Sequence, residues 1–71
     1  MNPRERELLQ GMGNCFAACG EDFEGTTRMV ASARGREQKE VIQTLKIMRK
    51  NYENDPDYKE LRARLPEDFP L

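Results

Sequence analysis

The chain has no histidine and no tryptophan, only two cysteines, and five aromatic residues (three Phe, two Tyr) among its 71. Without histidine it lacks both the commonest metal ligand and the commonest proton-transfer group near neutral pH. No nucleophile stands beside a base, so the composition argues against an enzyme, and it calls for no cofactor and no small-molecule substrate. A structural zinc site takes four N or S ligands. Cys15 and Cys19 could therefore complete one only if two chains each gave a pair. Long apolar runs are also missing. The longest, Cys15 to Cys19, falls far short of the ~20 residues that span a bilayer. Arg4 to Glu7 has mixed charge and no apolar stretch behind it, so no secretory leader is expected. The expectation is a cytoplasmic protein with reduced thiols and no membrane segment.

Large apolar residues are scarce as well. Leu, Ile, Val and Phe together number 13, at the low end for a globular chain, although the net charge is only −1. A single small domain follows, marginal enough that a partner or a second copy is a natural source of stability.

What is present is helical. Asn2, Pro3 and Glu5 spell a helix start with capping-box spacing. Leu8, Met12, Cys15 and Cys19 recur at helical intervals, flanked by Leu9 and Phe16, up to a terminating Gly20. Gly11 and Gly13 each cost about 1 kcal/mol in a helix interior, and a break near Met12 is the main hazard there. A second helix is capped by Asp22 or Thr26, buries Phe23, Thr27, Val30 and Ala33 on one face, and stops near Gly35. The third, Arg36 to about Tyr52, contains no Gly or Pro and carries the seam Val41, Leu45, Met48 and Tyr52. Asp55 and Pro56 start a short fourth helix, with Tyr58, Leu61 and Leu65 facing one way, a Glu60–Arg64 pair on its surface, and Pro66 ending it. No stretch alternates as a strand would. The fold expected is all-α: a small bundle of three longer helices and one short C-terminal helix over residues 1–65, followed by an acidic and apolar tail, 66–71, either folded back or mobile.

Charge is segregated along the chain. Residues 1–27 carry net −3, residues 28–50 net +5, and residues 51–71 net −3. The basic block predicts a stripe of Arg36, Lys39, Lys46 and Lys50 opposite the apolar seam of the third helix, with Arg34 and Arg49 nearby. It could meet an anionic partner, or be neutralised by the acidic flanks of its own or a neighbouring chain.

Two recognition surfaces follow from this reading. The first is a small-residue face of the first helix bearing Met12, Cys15, Phe16 and Cys19, suited to a protein partner or to homodimerisation. Tight packing inside the chain explains the same face, and burial of both cysteines as small apolar residues explains the thiols better than redox or metal chemistry. The second is the basic set Arg34, Arg36, Lys39, Lys46, Arg49 and Lys50, suited to an acidic protein or to nucleic acid. Phe23 to Tyr52 can be drawn as a helix-turn-helix in which Arg36, Gln38, Lys39 and Gln43 reach bases. A sequence pI near 5.4 and the acidic flanks weigh against that drawing. No Gly-rich run leads from a strand into a helix at Gly35, so no phosphate loop is read there. The function expected is a small non-catalytic interaction module, such as an adaptor, regulator or inhibitor, with nucleic-acid binding as the alternative.

Overall fold

A computed structural model describes residues 1–71 as four helices and no strand. They are α1 Pro3–Cys19, α2 Phe23–Arg34, α3 Gln38–Tyr52 and α4 Pro56–Arg62. Their starts are chemically marked. The Asn2 side chain accepts from the Glu5 N–H at 2.8 Å and Glu5 Oε1 accepts from the Asn2 N–H at 3.0 Å, a complete capping box. Asp22 accepts from Gly25 N–H at the head of α2, and Asp55 accepts from Asp57 and Tyr58 N–H at the head of α4, ahead of Pro56. Gly20 and Gly35 close α1 and α2 at φ +63° and +64°, a left-handed conformation that strains any residue with a Cβ.

Despite Gly11 and Gly13, α1 is unbroken, and Met12 between them is fully buried. Burial of Leu8, Leu9 and Met12 outweighs the ~1 kcal/mol that each glycine costs the helix. Gly13 itself backs onto α4's exit, where an added Cβ would meet Arg64 Cβ at 3.5 Å. The first helix packs on α2 and α4 rather than chiefly on α3.

Two boundaries and one buried face differ from the sequence reading. Helix α3 starts at Gln38, because Gly35 turns the chain over and Glu37 is extended (φ −76°, ψ 139°), which leaves Arg36 in the turn and off the helix. Helix α4 ends at Arg62, so Arg64 lies outside it and the Glu60–Arg64 pair does not form. Ala33 is exposed, and the buried face of α2 is Thr26, Thr27, Val30 and Ala31.

The segment after Leu65 is part of the core. Phe69 and Leu71 are 8% and 3% exposed, and Phe69 stands edge-on to both Phe16 and Phe23, with ring centroids 5.4 and 5.6 Å away. The Arg62 guanidinium secures this return by donating to the carbonyls of Leu65, Pro66, Glu67 and Phe69 at 2.9–3.2 Å. The radius of gyration, 10.9 Å, matches the ~11 Å of a fully compact chain of this length, which leaves no room for a detached tail.

Candidate partner-binding surfaces

The two predicted surfaces differ in how far the rest of the chain covers them. On α1, Met12 is wholly inside the core. Cys15 and Phe16 are half-buried against it, with Phe16 closed over by Phe69. Cys19, expected to be buried, is exposed, because it lies a turn beyond Phe16, past the cover that Phe69 provides. The small-residue side offers no close seat for another helix of the same chain at Gly11, where an added Cβ would find nothing within 4 Å. No group of three or more Cys, Asp or Glu side chains gathers as a metal set.

On α3 the seam Val41, Leu45 and Met48 is buried and Tyr52 half-buried, which turns Lys39, Lys46, Arg49 and Lys50 out to solvent. Ion pairing does not neutralise them. The ion pairs of the molecule are Arg6 with Asp57 at 2.9 Å and the Met1 amine with Asp55 at 3.8 Å, both tying the start of α1 to the start of α4. None of the seven cations between residues 28 and 50 has a carboxylate within 4.0 Å. The Arg6 contact holds the Asp57 carboxyl below the usual carboxylate range, and Asp57 in turn raises the Arg6 guanidinium.

Ile47, outside both predicted surfaces, is the exposed large apolar residue of the chain, 58% accessible. It lies four residues after Gln43 and three before Lys50, so all three share the outer face of α3 with Lys46 beside them. Helical spacing alone could have located it, since Ile47 falls off the Val41–Tyr52 seam.

Gln38, expected to reach a base, is instead bonded within the chain. Its Nε2 donates to the Glu24 carbonyl at 3.0 Å and to Thr27 Oγ1 at 3.1 Å, while Thr27 Oγ1 donates to the Phe23 carbonyl at 2.8 Å. This network stitches the start of α3 to the first turn of α2 and leaves the Gln38 amide no donor for a base edge.

The basic set is also split in two. Arg34, half-buried in the last turn of α2, and Arg36, in the turn, do not join the lysines of α3 but line a groove with Arg4 of α1 and Thr44 of α3. Nothing local in the sequence brings Arg4 to this place; packing of α1 on α2 does. Glu5 borders the same groove, but its Oε1 already accepts from Asn2 N–H and from the Tyr52 hydroxyl at 2.8 Å. That hydrogen bond pushes the Tyr52 phenol above its ordinary pKa.

No helix is long and apolar enough to cross a membrane. Set beside known protein families, curated proteins and solved structures, the chain matches none.

Proposed function

We propose that this protein is a small non-catalytic interaction module that presents the outer face of α3 to the acidic surface of a protein partner. The observation that carries the reading is Ile47, an exposed aliphatic side chain set among Gln43, Lys46 and Lys50. An exposed aliphatic side chain flanked by two lysines can act as an anchor that supplies affinity, with the flanking charges supplying register and rate. The absence of any intramolecular partner for the surrounding cations supports an acidic counterpart.

A photo-crosslinking residue at position 47, with one at exposed Asn14 of α1 as control, tests this directly in the producing cell. The expected product is a protein adduct from 47 and none from 14, with binding of the purified adduct partner weakened at least tenfold by Lys46→Glu together with Lys50→Glu. Equal labelling from both positions would remove the reading.

Nucleic acid is the second reading, favoured by the three-residue turn Gly35 to Glu37 that sets an unpaired basic helix after α2. The consumed Gln38 amide and the exposed Glu37 and Glu40 at the head of α3 oppose it. Duplex binding that falls steeply with salt and disappears in Lys46→Glu, Lys50→Glu would establish it over the first.

A further inference from the structure

We propose that the groove between the start of α1 and the α2–α3 turn is a phosphoryl-binding site, in which Arg4, Arg34 and Arg36 take a phosphate dianion or the phosphoryl head of a phosphomonoester. The groove encloses about 170 Å³ over a floor of Leu8 and Val41, and Thr44 adds a hydroxyl to its rim. Three arginines line it, Arg4 from the first turn of α1, Arg34 from the end of α2 and Arg36 from the turn that follows. None of them hydrogen-bonds or ion-pairs within the molecule; the arginines so engaged are Arg6 and Arg62.

An unpaired guanidinium that has lost part of its water is costly, and Arg34 is half-buried. Arg4 and Arg36 are exposed, but three like charges lining one concavity raise its positive potential and favour an anion there. Glu5 offsets them only in part, because its carboxylate is drawn to Asn2 and Tyr52 and comes within 4.0 Å of none of the three. The lining therefore carries net +2, from Arg4, Arg34 and Arg36 against Glu5. A carboxylate matches one planar fork and one charge. A tetrahedral dianion offers more acceptor oxygens and the matching charge, which is why clustered arginines suit phosphoryl groups. The site is separate from the outer face of α3, whose Lys46 and Lys50 do not line it, and so does not depend on the partner proposed above.

Backbone amide NMR of the full chain, titrated with inorganic phosphate at constant ionic strength, tests the site, with acetate as the monoanionic control. The expected result is saturable shifts centred on Arg34, Gly35, Arg36 and Thr44, with binding at least tenfold weaker for acetate. Arg34→Gln with Arg36→Gln should weaken phosphate binding at least tenfold in a protein whose thermal transition is otherwise retained, while Lys46→Gln with Lys50→Gln changes it less than twofold. Equal response to acetate, indifference to the arginine pair, or loss on changing the lysine pair would each overturn the proposal. A phosphoserine peptide and its unphosphorylated twin identify the source. Tighter binding of the phosphopeptide than of free phosphate assigns the group to a modified chain, and equal binding assigns it to a small phosphorylated molecule. Binding of the unphosphorylated twin as tight as that of the phosphopeptide counts against the site.

Discussion

Helices α1 and α3 are of similar length, 17 and 15 residues, and each has an apolar stripe and a polar back, yet the exposed side of α3 alone carries a large aliphatic residue. The stripe of α1 is covered along its middle by α2, α4 and the returning tail, which takes Met12 into the core and half-buries Cys15 and Phe16 while Cys19 stays exposed. Helix α3 buries only its seam and turns a mostly polar back, with one aliphatic side chain on it, to solvent. Amphipathicity is thus silent about recognition. What distinguishes a core face from a recognition face is whether the rest of the chain has enough apolar surface to cover it.

The difference can be broken most forcefully at Met12 and Ile47. Truncating fully buried Met12 to Ala should destabilise the fold by about 2–5 kcal/mol, whereas Ile47→Ala should stay within about 0.5 kcal/mol, both read from urea unfolding. Similar costs at the two sites would erase the distinction between the helices. Next in size is Arg62→Gln, which strips four carbonyls of a charged donor. A loss of about 1.5–3 kcal/mol is expected, accompanied by faster exchange of the Phe69 and Leu71 amides, and unchanged exchange would show that the tail holds without the clamp.

Gly11→Ala should act in the other direction, raising stability by about 0.5–1 kcal/mol, since the new methyl meets nothing and the helix gains propensity. If a second copy packs closely on α1, the same change would instead weaken assembly in sedimentation. The smallest effect is at Tyr58, whose hydroxyl is buried without a partner. Tyr58→Phe should be neutral or stabilising by up to about 1 kcal/mol in denaturant unfolding, because no hydrogen bond is lost.

The two tyrosines also set an alkaline limit. Burial raises the Tyr58 phenol and the Glu5 hydrogen bond raises that of Tyr52, so the native state holds both protons more tightly than the unfolded chain does. Their contribution is complete below about pH 10, the unfolded value, and is lost as pH rises through the elevated native values. Thermal melts from pH 8 to 12 should therefore fall above about pH 10, less so in the Tyr52→Phe, Tyr58→Phe double variant.

Much of this architecture was legible where local chemistry decides it. Asn2 with Glu5, Asp55 with Pro56, and the two left-handed glycines mark helix ends from nearest neighbours alone, whereas the choice of Asp22 over Thr26 as the cap of α2 is made by the structure, which buries Thr26 inside the helix. Arg36 was misplaced because a helical pattern continues through it, and only the turn geometry after Gly35 removes it from α3. The fate of the tail rests on Phe69 finding Phe16 and Phe23, contacts spanning more than forty residues of sequence. The split of the basic set was equally hidden, since Arg4 joins Arg34 and Arg36 only after α1 has docked. Ile47 could have been read from helical spacing, but its exposure gains meaning only once the covered stripe of α1 stands for contrast.

The most direct measurement is a paired one on Ile47→Asp: affinity for the partner crosslinked at position 47, and the free energy of unfolding of the variant alone. The face of α3 as a recognition surface predicts an affinity loss of tenfold or more with unfolding free energy changed by no more than about 0.5 kcal/mol. Retained affinity, or an affinity loss that merely follows collapse of the fold, would contradict it.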